Sequence, residues 1–267
     1  MKSFKRVVLS MICLSLVLLS VSCESKDEEL QSTKGNTQES RELLIGAAAS
    51  LTDAFNEIKP IFEEKENCKL NFNYAASGTL QKQVEEDGGL DVFVSASEDK
   101  MNKLLEQDLI VKDSVFPVLK NSLVLITNKD MKENLNMENF VDLSNKIAIG
   151  QPDVVPAGQY GKQTLDNSKI WDKAESKLVF AKDVRAVLAY VSSGECESGF
   201  VYKSDAIIDE NVKIAEEVKE DLHDPIVYPG GVVKSSKEAE LSQKFLDFLK
   251  EDKAKEILTK YGFLVND

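Results

Sequence analysis

From residue 43 onward, short apolar runs of strand length alternate with segments whose apolar residues recur at helical spacing. Strands are predicted at Leu43–Gly46, Lys69–Tyr74, Asp91–Val94, Ser122–Thr127, Lys146–Ile149, Lys177–Phe180, Gly199–Tyr202 and Pro225–Val233. In the second of these Leu70, Phe72 and Tyr74 alternate with polar neighbours, as one buried face of a pleated strand requires. Between the strands, Thr52–Glu64 puts Phe55, Ile58 and Phe62 on one helical face, and Val184–Ser192 does the same with Val187, Leu188 and Val191. Pro60 is expected to kink or split the first of these helices. The tail from Lys237 to Phe263 is helical in period, with Leu241, Phe245, Phe248, Leu249, Ile257, Leu258 and Tyr261. Strand and helix alternating in this way predict α/β units with mostly parallel sheets, whose ligands sit beyond the carboxyl ends of the strands.

Four junctions in this pattern share a chemistry. Ala47-Ala48-Ala49-Ser50-Leu51-Thr52, Tyr74-Ala75-Ala76-Ser77-Gly78-Thr79-Leu80, Val155-Pro156-Ala157-Gly158 and Lys182-Asp183-Val184-Arg185 each follow a strand-like run and open a helix-like one. A helix start presents unpaired backbone N–H groups and the positive end of the helix dipole, so it binds an oxyanion without Lys or Arg. Four such starts converging on one point form a cage of neutral donors. Each residue also has a plainer reading. Ser50 and Ser77 can be helix N-caps, Pro156-Ala157 an ordinary helix opening, Val184 a core residue, and Tyr202 a buried aromatic with a satisfied hydroxyl. Asp183 is read as a cap, Arg185 as solvated, and Asp53 as a first-turn carboxylate favoured by the dipole.

The amino terminus changes where the molecule is expected to work. Lys2, Lys5 and Arg6 precede an apolar stretch from Val7 to Val21, shorter than the roughly 20 residues needed to span a bilayer and followed by polar sequence. That is the form of a secretory signal peptide over residues 1–22. Leu19-Ser20-Val21-Ser22-Cys23 resembles a bacterial lipobox, with Ser20 where Leu is usual, and predicts lipidation at Cys23. Residues 23–41 hold almost nothing to bury and read as a disordered tether holding the domain off the membrane. The formal net charge is −13 and more negative without the leader, so nucleic acid is an unfavourable partner. Cys68 and Cys196 lack metal-ligand spacing and are read as separate free thiols. With His223 the only histidine, a zinc site or a Ser-His nucleophile is disfavoured.

From about Leu43 to Leu264 the chain resembles the molybdate-binding proteins of bacterial ABC importers, the ModA family. The four junctions carry the resemblance together with Asp91-Val92-Phe93-Val94-Ser95-Ala96, Val201-Tyr202-Lys203-Ser204-Asp205-Ala206 and Lys260-Tyr261-Gly262-Phe263. The resemblance implies a two-lobed periplasmic-binding-protein fold of type II, with crossovers near Leu125 and Val227. Residues 42–124 and 228–267 then form the first lobe and residues 125–227 the second. It further implies that a molybdate or tungstate dianion is held in the cleft by Ser50 and Ser77, through hydroxyl and backbone N–H groups, by the N–H groups of Ala157 and Val184, and by the phenol of Tyr202. No cofactor and no metal cation ligand are implied, since molybdenum arrives as its oxyanion. The implied partners are an ABC importer permease with its ATPase; the protein would be a monomer outside the cytoplasmic membrane, touching it only through the lipid. The chain departs from common members at Gly78, where another Ser is usual, and at Gly230-Gly231, where bulkier residues are usual. Both changes are expected at the rim or hinge of the pocket.

Three other functions fit parts of the sequence. A binder of sulfate or another tetrahedral oxyanion would use the same donors. A secreted hydrolase would need Ser50 or Ser77 as nucleophile, yet the Gly-x-Ser-x-Gly elbow is missing and His223 is the sole histidine base. A passive surface lipoprotein would bind other proteins and no small anion.

Overall fold

The computed structural model describes residues 41–265; the leader, Cys23 and the tether up to residue 40 lie outside the described residues. The chain runs β1 (Arg41–Ala48), α1 (Thr52–Glu66), β2 (Cys68–Ala75), α2 (Ser77–Glu85), β3 (Val92–Val94), α3 (Glu98–Glu106), β4 (Phe116–Lys120) and β5 (Leu123–Asn128). It continues through α4 (Phe140–Leu143), β6 (Ile147–Gly150), α5 (Pro156–Asn167), α6 (Trp171–Glu175), β7 (Leu178–Ala181), α7 (Val184–Ser192), β8 (Ser198–Tyr202), α8 (Lys203–Ala206) and β9 (Val212–Glu217). It ends with β10 (Val227–Val232), α9 (Ala239–Phe248) and α10 (Asp252–Lys260).

Two five-stranded sheets result, in the orders β2-β1-β3-β10-β4 and β7-β6-β8-β5-β9. The predicted parallel pairing holds for three strands of each sheet: β1 with β2 and β3, and β6 with β7 and β8. The other two strands of each sheet pair antiparallel, β10 with β3 and β4 and β5 with β8 and β9. The chain passes between the sheets at Asn121-Ser122 and again between β9 and β10.

All eight predicted strands are present, and two more were not predicted. Both are edge strands. β4 carries Pro117, whose missing N–H is tolerated at an edge, and β9 reads Val-Lys-Ile-Ala-Glu-Glu, with charge on the solvent side. α1 is continuous through Pro60, so the helix is not split there; Pro60 is exposed. The helical tail is two helices interrupted at Leu249–Glu251.

Aromatic packing fixes the C-terminal tail on the first sheet. Phe245 of α9 meets Phe62 of α1 edge to face at 5.3 Å and Phe55 at 5.8 Å, and Phe72 of β2 closes the cluster at 6.3 Å. Such pairs add about 0.5–1.5 kcal/mol each beyond the area they bury. In the second sheet Phe140 of α4 and Phe200 of β8 make a similar edge-to-face pair at 5.6 Å. Cys68 and Cys196 are buried and free, as expected.

Candidate functional site

Four helical segments begin at the carboxyl ends of strands and face one cavity between the sheets. Ser50 reaches it from the 3-10 turn Ala49–Leu51 that joins β1 to α1, Ser77 from the first position of α2, Ala157 from the first turn of α5, and Val184 from the first position of α7. Tyr202, the last residue of β8, completes the lining with Ala48, Ala49, Ala75, Ala76, Ala96, Val155 and Pro156. All five predicted site residues therefore meet at one point. Among the described residues, no Lys, Arg, Asp, Glu or His lines the cavity.

The donors are held by local geometry. The N–H groups of Ser77, Ala157 and Val184 stand at helix starts, where no carbonyl of the same helix is available to them. α5 comes unusually close to β6: a Cβ on Gly158 would lie 2.0 Å from the Gly150 carbonyl oxygen, so only glycine allows this approach. That contact sets the position of Ala157 beside it. At α7 the Asp183 carboxylate accepts from the Ala186 N–H at 2.8 Å, the capping role expected of it, which leaves Val184 as the first helical residue.

Neither serine is an N-cap. Leu51 and Ala76 occupy the cap positions, without side-chain capping bonds. The Ser77 hydroxyl oxygen accepts from the Ala96 N–H at 2.9 Å, and the Ser50 hydroxyl lies 2.9 Å from the Tyr228 hydroxyl. Both serines are almost fully buried, at 2% and 1% exposure for Ser50 and Ser77. With its oxygen already accepting, the Ser77 hydroxyl has its hydrogen free for the cavity.

Tyr202 is fully buried in β8; among the described residues its phenol makes no hydrogen bond of good geometry, with the Tyr228 side chain beside it, so its hydrogen can turn to an occupant of the cavity it lines. Burial pushes the phenols of Tyr202 and Tyr228 well above the ordinary tyrosine range, and both are neutral donors at neutral pH.

Around the cavity, the two halves of the molecule touch directly. Arg185 is not solvated as expected. Its guanidinium from α7 lies 2.7 Å from Asp53 of α1, donates to the Ser50 carbonyl at 3.2 Å, and lies 2.7 Å from Asp205 of α8. Asp205 is wholly buried, and burial raises its carboxyl to about 6 against the opposing pull of Arg185. The Lys100 ammonium, in α3 and only 6% exposed, donates to the Asp153 carbonyl at 3.1 Å. The Gly78 N–H donates to the Val154 carbonyl at 2.9 Å, and a Cβ on Gly78 would lie 2.6 Å from that same oxygen. Gly230 and Gly231, by contrast, are not at the cavity. They lie in β10 packed against Leu246, Val118, Ile110 and Val115.

Sequence reasoning missed Tyr228, Asn121 and the bridging role of Arg185. Tyr228 sits in a predicted strand beside Pro229, where one more aromatic reads as core. The other two depend on pairings across 83 and 135 residues of chain, which no local pattern carries.

Comparison with known proteins agrees with this geometry. The model of the bacterial extracellular solute-binding proteins matches residues 43–264. The Bacillus subtilis protein YvgL, named as a substrate-binding lipoprotein of an ABC transporter, is 39% identical over 97% of this chain and 98% of its own length. The molybdate-binding protein ModA of Haemophilus influenzae is 37% identical over 84% of this chain and 90% of its own. A Clostridium difficile substrate-binding domain named for a molybdenum ABC transporter superposes with a TM-score of 0.67 at 40% identity, covering 85% of this chain and all of that one. The neutral cage between two sheets and these relatives lead to one conclusion: the chain belongs to the bacterial extracellular solute-binding proteins, within the ModA family.

Proposed function

We propose that this protein captures molybdate and tungstate outside the cytoplasmic membrane and delivers them to an ABC importer, closing its two lobes around the oxyanion without making or breaking a bond. The observation that carries this reading is a cavity lined, among the described residues, only by neutral groups, with four segment starts and one buried phenol facing it. Neutral donors suit a fully ionised anion. An anion that keeps a proton needs an acceptor, and the lining supplies hydroxyl hydrogens and N–H groups in its place. The ligand is bound by Ser50, Ser77, Ala157, Val184 and Tyr202, and the contacts of Arg185, Lys100 and Gly78 hold the closed state. Cys23 anchors the protein through lipid, and the permease with its ATPase receives the ligand.

The hydrolase reading has less support. The Ser50 hydroxyl faces a tyrosine and the Ser77 hydroxyl a backbone N–H, and neither meets a general base. Calorimetry of dialysed protein with molybdate, tungstate, sulfate and phosphate tests the proposal. Saturable one-to-one heats are expected for the first two, with sulfate and phosphate much weaker. Equal responses to all four remove the selectivity, and sulfate binding above molybdate makes this a sulfate binder.

A further inference from the structure

Tyr228 lies outside the cavity lining, yet it is fully buried and its hydroxyl is 2.9 Å from that of Ser50. It stands in β10, just after the second passage of the chain between the sheets. Asn121 stands at the first passage. The Asn121 side-chain carbonyl accepts from the Ser122 N–H at 2.9 Å, which fixes the orientation of the amide. Its NH₂ group is thereby turned to donate to the Ser204 hydroxyl at 2.8 Å and to the Tyr228 hydroxyl at 3.4 Å.

An amide NH₂ has no acceptor capacity, so the Tyr228 oxygen receives from Asn121. Of the two directions open to the Ser50–Tyr228 pair, the relay is the one in which the phenol's hydrogen goes to the Ser50 oxygen. The phenol is held neutral by burial, so that hydrogen is present at neutral pH. Ser50, now accepting, keeps its own hydrogen for the cavity. Ser77 reaches the same state by accepting from the Ala96 N–H. The Tyr228 ring is itself fixed edge to face between Tyr202 at 5.7 Å and Phe263 at 5.8 Å.

We infer that Tyr228 is a positioning residue for the oxyanion: with Asn121 it forms a one-way relay of hydrogen bonds, running from the two inter-sheet passages to Ser50, that holds the Ser50 hydroxyl as a donor to the ligand. The inference rests on Ser50 being a ligand donor, as proposed above.

A double-mutant cycle on the full chain with molybdate as probe tests this, reading dissociation constants by calorimetry on variants with matched unliganded melting temperatures. Tyr228→Phe keeps the ring and its aromatic neighbours and removes one hydroxyl. It should weaken molybdate binding roughly threefold to tenfold in the wild-type background, the net effect of a typical hydrogen bond. In a Ser50→Ala background the same change should alter affinity less than about twofold, because a residue acting only through Ser50 has nothing left to act on. Equal losses in both backgrounds overturn the relay and make Tyr228 a general packing residue. A loss for Ser50→Ala with none for Tyr228→Phe overturns it as well. No loss for Ser50→Ala fails the site itself, which separates that outcome from the other two. Should Tyr228→Phe not fold, Asn121→Ala in the same cycle reads the relay from its other end, with the same dependence on Ser50 expected and the same outcomes overturning it.

Discussion

At the scale of single residues, the two serines differ in what they hold besides a ligand. Ser77 accepts the buried Ala96 N–H, whereas Ser50 is held by a phenol that has other neighbours. Ser50→Ala and Ser77→Ala should each weaken molybdate binding roughly tenfold to a hundredfold, since a hydrogen bond to a charged group contributes about 1.5–3 kcal/mol. Ser77→Ala should also destabilise the unliganded protein the more, by about 1–3 kcal/mol, because it strands the fixed Ala96 N–H away from water, whereas the Tyr228 hydroxyl released by Ser50→Ala can rotate toward Tyr202. Titration calorimetry with denaturant melts separates the two effects, and equal stability losses would contradict this account. Such distinctions are not legible in the sequence. Strand-to-helix junctions and family resemblance single out Ser50, Ser77, Ala157, Val184 and Tyr202, and the five line one cavity. Yet a Ser at a helix start looks the same whether it caps the helix or faces a cavity. What decides is where the Ala96 N–H and the Tyr228 hydroxyl fall, and both lie far along the chain.

At the scale of elements, alternation exposed the eight strands that lie within the sheets or carry strong apolar runs. β4 and β9 escaped it because an edge strand is half solvated and tolerates Pro117 or a Glu pair. The helix starts were legible because strand end, small residue and helical period occur in order. The start of α7 gives a test in which the functional group is backbone. Val184 is the first helical residue after the Asp183 cap, a position where proline fits since its N–H has no intrahelical partner. Val184→Pro should leave the circular dichroism nearly unchanged and cause a large loss of affinity. Val184→Ala keeps the N–H, trims packing and should lose little. If the two variants bind molybdate equally, this N–H does not touch the ligand.

At the scale of the whole molecule, the contacts that bridge the cavity allow the proposed closure to be tested, and two of them come from residues outside its lining. Arg185 is shared between Asp53 and Asp205. Arg185→Ala leaves Asp205 buried and unpaired, which should cost about 3–5 kcal/mol, and adding Asp205→Asn should recover much of it. The pH dependence has a definite sign. Burial raises the Asp205 carboxyl from 3.8 to about 6, with Asp53 and Asp183 pushing the same way and Arg185 opposing. Between those values the folded state therefore binds the extra proton, so this group's contribution to stability rises as pH falls through the window and its burial cost is fully present above it. Melts of Asp205→Asn against wild type should show that component missing. Gly78 acts through space alone. Its N–H meets the Val154 carbonyl at 2.9 Å, and a Cβ there would sit 2.6 Å from a backbone oxygen that no side-chain rotation can move aside. Gly78→Ala should then hold the two halves apart near α2 while the sheets stay intact. The unliganded melting temperature should stay close to wild type, and affinity for molybdate should fall by roughly tenfold or more, as clashes of this kind cost about 1–3 kcal/mol. Small-angle scattering should show wild type contracting on addition of molybdate and Gly78→Ala contracting less. Full contraction and unchanged affinity in that variant would show that the approach of Val154 to Gly78 is no part of closure.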